Sequence, residues 1–460
     1  MNYVTMANLI NKELKSKANG FVNSVLSDKM ASQIELWTKL YEDNAPWIKG
    51  NVQSANLPAS IASELARLVT LELKTEVTGS TRANAINGIY KKVISNLRVD
   101  TEYACAKGGL IFKPYVNGSD IHVQVIHANN FFPITFNSNN EVSSCVFVDR
   151  LFKGSLIYTR LEYHSFRNNE LIVNNYAYLS SNDMNLGHEI SLSLIEEWCM
   201  IEPYAVFKNV KKIPFGYFKI PIGNTLNSNS VIGSSVYSKA VQLIKEADKR
   251  YSQICWEYEA KEVAVHISEG ALKYDKAYDK FMYPGGNERL YRTVMFDNGA
   301  KDKPYLDTYS PDIRDSSLYN GWNRQLRLIE FNCSLAYGTL SDNEVEAKTA
   351  TEINTSKQRS YSFVSDIQMS LQKALEDLVD AIDFYMTIYR LAPLGDNEVS
   401  FKWDDSIVVD ATTERMQDRL DVQMGTMSKV EYRMKWYGED EATAKGKIIN
   451  EQQGLDGQYN

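Results

Sequence analysis

The side chains whose types could support catalysis or metal binding are few in this sequence and poorly placed for either role. Asp404 and Asp405, directly after Trp403, are the best pair of neighbouring carboxylates. Acid–base chemistry or a metal ion would need a third convergent ligand, so a turn at the end of a strand is the favoured interpretation. The histidines are scattered, mostly in strand-like segments, and are interpreted as structural or surface imidazoles: His122, His127, His164, His188 and His266.

Sequence motifs that carry catalysis are missing as well. The chain has no Gly-x-x-x-x-Gly-Lys phosphate loop, no His-x-x-x-His pair and no Gly-x-Ser-x-Gly elbow. No Cys-x-x-Cys pair exists, and the isolated cysteines are expected to be small buried hydrophobes: Cys105, Cys145, Cys199, Cys255 and Cys333. We therefore predict a protein that is not an enzyme and that needs no cofactor and no metal. A nucleic-acid or sugar enzyme using Asp404 and Asp405 is the weaker alternative.

The charge balance argues against a protein that binds nucleic acid tightly. The 460 residues carry 50 Lys and Arg against 58 Asp and Glu, a formal net charge of −8, whereas DNA binders normally neutralise phosphates with a basic surface. One basic group nevertheless stands out: Lys245, Lys249, Arg250, Arg324 and Arg327. It is interpreted either as a solvated face interleaved with Glu246 and Asp248 or as a contact with phosphates or a neighbouring chain. The acidic residues within 342–346 are interpreted as a solvated loop.

Composition also bears on surfaces and on location. Tyrosine is unusually common, with 28 Tyr against 17 Phe and 7 Trp, and its apolar body with a polar tip suits surfaces between subunits. The longest charge-free stretches, such as residues 220–238, are rich in Asn, Ser and Gly, so no membrane span is predicted. Residues 1–18 already contain Lys12, Glu13, Lys15 and Lys17 and lack the apolar run of a signal peptide. A soluble intracellular protein is expected.

The periodicity of apolar residues predicts an α+β fold. The first hundred residues look helical, with Pro58 at a helix start. From Lys91 to Tyr178 the pattern changes to short strands joined by hairpins, one of them at residues 167–169. A helix of about 25 residues is predicted at 236–258, and another at 318–333. Because residues 263–310 revert to strands and turns, with one turn predicted at 284–287 (PGGN), these two helices would form a stalk that holds a β tip.

The strongest periodic signal in the chain starts near Lys348. Apolar residues recur there at helical spacing, and neither Pro nor Gly interrupts the pattern before Pro393. A helix of roughly 43 residues would be a rod of ~60 Å. The last fifty residues are polar and helical, and Ser428 with Glu431 forms a capping box that predicts a helix start.

Two strings near the middle of the chain follow each other closely: residues 334–340 (SLAYGTL) and 348–353 (KTATEI). Five more stretches accompany them in a fixed order: 160–164 (RLEYH), 215–219 (FGYFK), 233–237 (GSSVY), 425–429 (GTMSK) and 436–442 (WYGEDEA). In this order they resemble the Gp6-like portal family of long-tailed bacteriophages. In that family a stalk helix ends in a Gly-Thr loop, and a Lys-Thr-Ala-Thr-Glu string opens a long helix. The resemblance covers most of the chain and is strongest from about residue 200.

This resemblance implies a ring of about twelve identical subunits at one vertex of the capsid. Double-stranded DNA would pass through the ring during packaging and ejection. Further partners would be the terminase large subunit of the packaging motor, the head–tail adaptor, and the major capsid and scaffolding proteins, without a membrane. The protein would be assembled in the cytoplasm of the bacterial host and then reside in the virion.

The parts of the portal fold carry over by position. They would be the wing at 1–232, two stem helices at 233–262 and 311–335, the clip at 263–310, the tunnel loop at 336–346, the long wing helix with a wing strand at 347–410, and the crown at 411–460. The basic group at 245–327 would lie in the stem, lining the channel or contacting a neighbouring subunit. The tunnel-loop residues expected to face DNA are Tyr337, Gly338, Thr339, Leu340, Ser341, Asp342, Asn343 and Glu344.

A channel that moves DNA should not bind it tightly, because each phosphate that a basic side chain neutralises adds salt-dependent affinity. The hypothesis is therefore a weakly repulsive, low-friction lumen, with acidic loop residues near DNA and scattered positive rings in the stem. The alternative from another class is a capsid-associated or filamentous scaffold in which the long helix is a coiled-coil partner. Polar residues before Val364 interrupt the apolar stripe, and a simple coiled coil does not explain the β tip.

Overall fold

The computed structural model describes residues 1–17, 26–228, 230–260, 264–268, 272–282, 291–294, 306–309, 312, 314–342, 350–403 and 411–456. Helices and strands are mixed, as the α+β prediction requires. One large apolar core joins the N-terminal helices, a central sheet, the paired helices in the middle of the chain and the long helix.

The N-terminal region is mainly helical. Its elements are α1 (Tyr3–Lys17), α2 (Asp28–Tyr41), α3 (Leu57–Thr70), β1 (Lys74–Gly79), α4 (Thr81–Ile94) and α5 (Leu97–Lys107). Pro58 lies in the first turn of α3, as predicted. The prediction was wrong at β1, which pairs antiparallel with β16 (Asn397–Lys402), a strand more than 300 positions away. It was also wrong about where the strands begin, because α4 and α5 continue the helical region to Lys107.

Asp100 on α5 is a buried carboxyl whose charge opposes folding. Only 9% of its surface is exposed, and burial raises its pKa to about 6. Because the pKa is higher in the folded than in the unfolded chain, burying the ionised carboxylate lowers the free energy of unfolding. This cost is complete above pH 6 and vanishes below about pH 4. We expect Asp100→Asn to raise the free energy of unfolding by about 1 kcal/mol at pH 7 and by much less at pH 4.

Urea unfolding at the two pH values measures this difference. Asp120→Asn, at the exposed first residue of strand Asp120–His127, is the control for loss of one negative charge and should show no such dependence. An equal gain from Asp100→Asn at pH 4 and pH 7 would contradict the account.

Two antiparallel sheets follow α5. The smaller contains β2 (Gly109–Asn117), β3 (Asp120–His127) and, from further along the chain, β10 (Gly216–Lys219), in the order β10-β2-β3. The strands of the larger sheet are β4 (Phe131–Phe136), β5 (Val142–Lys153), β6 (Leu156–Arg167), β7 (Glu170–Ser180), β8 (His188–Ile190) and β9 (Tyr204–Lys208). Their order in the sheet is β4-β5-β6-β7-β8, and β9 also pairs with β7. The hairpin predicted at 167–169 is confirmed. Asn168 and Asn169 both have positive φ, which suits a tight two-residue hairpin turn.

The helix predicted at 236–258 begins later than expected, since α6 is Val241–Ala260. Residues 236–240 form turns in which Val236, Tyr237 and Ala240 are fully buried. The backbone N–H of Val236 donates to the carbonyl of Cys105 at 3.0 Å, which fastens this stretch to α5. The apolar spacing therefore reflects burial against α5 rather than another helical turn.

A strand-rich segment lies between α6 and a second helix, α7 (Asp315–Asn332). Its described strands are β11 (Ala264–Ser268), β12 (Lys273–Asp275), β13 (Lys280–Met282), β14 (Tyr291–Val294) and β15 (Leu306–Tyr309). β11 pairs in parallel with β14 and antiparallel with β15. The prediction of two helices flanking a β insertion is therefore confirmed, while the turn predicted at residues 284–287 lies outside the described residues.

The long helix is α8 (Ala350–Ile388), with 39 residues. Its buried stripe contacts the central core through Ile367, Leu371, Leu375, Leu378 and Ile382, all fully buried. The C-terminal helices are α9 (Ala411–Met424), α10 (Lys429–Tyr437) and α11 (Glu441–Asp456), and the capping box of Ser428 and Glu431 at the start of α10 is confirmed. The wing strand expected within 347–410 is represented by β16, and residues 404–410, with Asp404 and Asp405, lie outside the described residues. Within the part of the chain that the structure describes, no helix is both long and apolar enough to cross a membrane.

Candidate functional site

The paired helices α6 and α7 pack against each other along a buried seam. The Nε2 of Gln325 donates to the carbonyl of Leu243 at 3.1 Å, and Arg250 donates to the carbonyl of Gly321 at 3.2 Å. Ile244, Ala247, Leu326 and Ile329 are buried between them. The two helices are therefore rigidly packed, and the loop that follows α7 starts from a fixed position.

The opposite faces of both helices are exposed. Residues spaced by three or four form a continuous outer face on each helix: Gln242, Glu246, Gln253 and Trp256 on α6, and Asn320, Arg324, Leu328 and Phe331 on α7. Of the predicted basic group, Arg324 lies on the outer face of α7, and Arg250 is exposed at the edge of the seam, where it contacts Gly321. Lys245, Lys249 and Arg327 are half-buried. Lys249 contacts Glu246 at 2.9 Å on its own helix.

Asp248 does not belong to a solvated face, and that interpretation was wrong. Only 2% of the residue is exposed, because the segment between α2 and α3 covers it. Its carboxylate accepts hydrogen bonds from the Trp47 indole at 2.8 Å and from the Ala55 backbone at 3.0 Å. Burial raises its pKa, although both hydrogen bonds act in the opposite direction. Asp248 thus ties the N-terminal region to α6.

A bidentate ion pair joins the end of α6 to the start of α7. Glu257, near the end of α6, is 2% exposed, and Arg314, just before α7, donates to both of its oxygens at 2.9 and 3.2 Å. Two parallel charge-assisted hydrogen bonds fix orientation as well as distance. The ion pair therefore fixes the positions at which the β-rich segment leaves α6 and enters α7.

The loop after α7 contains the residues that the resemblance assigned to contact with DNA. Tyr337, Thr339 and Asp342 are exposed, Gly338 and Leu340 are half-buried, and Ser341 is buried. Asn343 and Glu344 lie outside the described residues. The described part of the loop is held by α7, since its backbone donates to a buried carboxylate at Glu330.

A buried ionic cluster connects the two sheets at a distance from this loop. Glu162 on β6 accepts from Lys113 on β2 at 2.5 Å, from Arg160 at 3.1 Å and contacts the Nε2 of His164 at 2.7 Å. Burial alone would raise the pKa of Glu162, but Lys113, His164 and Arg160 together hold it well below its usual range. Burial lowers the pKa of His164, with Glu162 opposing this change. His164 is thus part of a structural cluster, as its interpretation anticipated.

The remaining candidates for chemistry are dispersed. Burial and the nearby Lys107 lower the pKa of His127 to about 4. Cys105, Cys145 and Cys333 are buried, but Cys199 is exposed and Cys255 half-buried, so the expectation of buried thiols was wrong for these two. Among the described residues, no group of three His, Cys, Asp or Glu is placed to hold a metal ion.

The structural roles of four buried acidic residues were not predicted from the sequence: Asp248, Glu257 and Glu330 on the helix pair, and Glu162 between the sheets. The three on helices share one signal that could have found them. Asp248, Glu257 and Glu330 occupy positions three or four residues from buried apolar neighbours on the same stripe. A charged residue on such a stripe requires a partner.

Comparison with known families gives one match. The family described as phage portal protein, SPP1 Gp6-like, matches residues 90–452. The match includes both sheets, the helix pair with its β-rich insertion, the loop, α8 and most of the C-terminal helices. No curated protein matches the chain.

Proposed function

Because the chain belongs to the SPP1 Gp6-like family of phage portal proteins, we propose that it forms a ring at one capsid vertex through which double-stranded DNA is packaged and ejected. The observation that carries this proposal is the family match itself, which spans residues 90–452. The order helix, β-rich insertion, helix, loop and 39-residue helix within that span supports it.

The parts of the ring follow from the positions of the elements. The proposed stem is α6 with α7, the clip is the β-rich segment between them, and the tunnel loop follows α7. The N-terminal helices, both sheets, α8 and β16 would form the wing, and α9 to α11 the crown. The clip would dock the terminase motor and later the head–tail adaptor, and the wing and crown would meet capsid and scaffolding proteins.

Ring formation is supported by apolar side chains that a single chain leaves in water. Trp256 on α6 is 60% exposed, Leu328 and Phe331 on α7 are 51% and 55% exposed, and Met369 on α8 is 61% exposed. Leu328 and Phe331 lie three positions apart on one face of α7, and neighbouring exposed apolar side chains of this kind are typical of protein interfaces. In a closed ring each subunit buries two unlike surfaces against its neighbours, so helix faces of this kind would be covered.

Leu328→Asp is expected to weaken the ring. A carboxylate in an apolar interface loses hydration without gaining a partner, and one such change per interface should raise the protein concentration needed for assembly at least about tenfold. Native mass spectrometry over a dilution series measures this. The control is Leu194→Asp, since Leu194 is 74% exposed outside the helix pair; equal effects of the two variants would contradict the proposed interface.

The charge of the loop gives a second functional expectation. Asp342 is exposed, and with Glu344 it would set negative charge beside the DNA, which lowers friction because no phosphate is neutralised. The double change Asp342→Ala and Glu344→Ala should alter the amount of DNA packaged or retained in assembled particles. Unchanged packaging and unchanged retention would refute the idea of a weakly repulsive lumen.

A further inference from the structure

Glu330 is a fully buried acidic residue on the last turn of α7. Its Oε1 accepts the backbone N–H groups of Gly338, Leu340 and Ser341 at 3.1, 2.6 and 2.8 Å, and its Oε2 accepts the Ser341 hydroxyl at 2.8 Å. Four donors from one short loop therefore converge on a single carboxylate. A buried carboxylate is costly unless it is hydrogen-bonded in this way.

The backbone around the loop is shaped so that these N–H groups point inward. The N–H of Thr339 donates to the carbonyl of Ala336 at 3.2 Å, and Gly338 at the third position of this turn has φ +90°. A positive φ at that position favours glycine. Upstream, α7 ends with Ser334 in a left-handed conformation and the Leu335 N–H bonded to the Glu330 carbonyl at 2.9 Å, so Glu330 contacts the loop through its backbone as well.

A second attachment extends along α7. The N–H of Asp342 donates to the side chain of Asn323 at 2.8 Å, and Asn323 is only 7% exposed. Asn323 and Glu330 are seven residues apart and so lie two helical turns from each other on one face. The loop from 336 to 342 is thus fastened to α7 at two levels.

The long helix contributes a contact from the other side. Arg359 on α8 donates to the carbonyl of Leu335 at 2.9 Å. Its guanidinium also lies over the rings of Phe331 and Tyr337, at 4.8 and 5.0 Å from their centroids, within the range of cation–π attraction. The same loop is therefore in contact with both helices that flank it.

We propose that Glu330 is the positioning residue of the tunnel loop and makes residues 336–342 move as one body with the end of α7. This inference rests on the proposed function of the loop beside DNA. A force that DNA applies to Tyr337 or Asp342 then reaches α7, and through Arg359 also α8, instead of being absorbed by bending of the loop. Movement of this part of the loop requires movement of the stem helix.

The test is amide hydrogen exchange on the purified full-length protein and its variants. In the wild type the amides of Gly338, Leu340 and Ser341 should be protected, because each donates to the Glu330 carboxylate. Glu330→Ala removes the carboxylate that accepts from all three amides and should speed exchange of Leu340 and Ser341 at least about tenfold. The Gly338 amide should respond less, because it also donates to the Ser341 hydroxyl oxygen at 3.2 Å. Glu330→Gln keeps one acceptor oxygen but not the charge, so it should give an intermediate rate and serves if Glu330→Ala does not fold.

The matched control is Gln325→Ala, on the same helix. Gln325 is also buried and hydrogen-bonded, but its partner is Leu243 on α6, so its loss should weaken the helix pair without selective exchange in the loop. Equal acceleration in the control, or none in the Glu330 variants, would overturn the anchoring. Complementation of a phage that lacks its portal supplies the functional arm: wild-type DNA packaging by Glu330→Gln, despite a loosened loop, would overturn the positioning role. Failure of the wild-type protein to form rings would instead count against the proposed function.

Discussion

Replacing Glu162 by glutamine is expected to lower the free energy of unfolding by about 3–5 kcal/mol. The change removes the one negative charge that Lys113 on β2 and Arg160 on β6 both contact, and it leaves those cations with side chains only 8% and 13% exposed. Breaking a buried ion pair from one side is costly because the remaining charge stays buried without compensation. Here that charge is chiefly Lys113, since Arg160 keeps an ion pair with Asp149 at 3.5 Å. Urea unfolding followed by tryptophan fluorescence measures the loss.

The pH dependence of this effect has a defined sign. Because the pKa of Glu162 is depressed in the folded chain, its stabilisation is complete above the unfolded value of about 4.5 and is lost as the pH falls through the lower folded value. The deficit of the variant should therefore be constant between pH 8 and pH 5 and shrink only in stronger acid.

The control for Glu162→Gln lies on the same sheet. Glu170→Gln removes an exposed carboxylate that lies 4.0 Å from Lys208, whose side chain is 76% exposed, and should cost less than about 0.5 kcal/mol. A loss from Glu162→Gln as small as that of the control would contradict the proposed role of the cluster in joining the two sheets.

Gly216→Ala should be nearly as damaging, by about 3 kcal/mol, because it forces two backbones apart. A Cβ at Gly216 on β10 would lie 2.1 Å from the carbonyl oxygen of Ala374 and 3.3 Å from the backbone nitrogen of Leu378, both on α8. Backbone atoms of a long packed helix cannot move aside as a flexible side chain can. We expect a lower urea midpoint and faster amide exchange in α8.

Gly223→Ala is the matched control for this prediction. An added Cβ there meets no atom within 4 Å, so the change should be nearly neutral. Similar losses of stability in both variants would show that the close approach of β10 to α8 does not determine how α8 packs.

The elements that sequence reasoning found are those specified by neighbouring residues. The hairpin at Asn168 and Asn169 needs two residues that tolerate positive φ. The start of α10 depends on Ser428 and Glu431, three positions apart. The uninterrupted apolar stripe of α8 is likewise local, and its 39 residues come close to the length that the stripe predicted.

What could not be predicted depends on partners that are distant in the chain. β1 is a strand because β16 pairs with it across more than 300 positions. Residues 236–240 leave the helix because Val236 bonds to Cys105. In the candidate site, the resemblance predicted a loop at 336–346, but nothing in that string indicated that amides of its described part converge on Glu330. Only folding brings the end of α7 back over the loop.

The symmetry of the purified full-length protein tests the central claim most directly. Native mass spectrometry with negative-stain class averages should give closed rings of about twelve or thirteen copies, with a central opening that admits double-stranded DNA. A stable dimer or an open filament would contradict the portal ring and favour a scaffold protein built around the long helix.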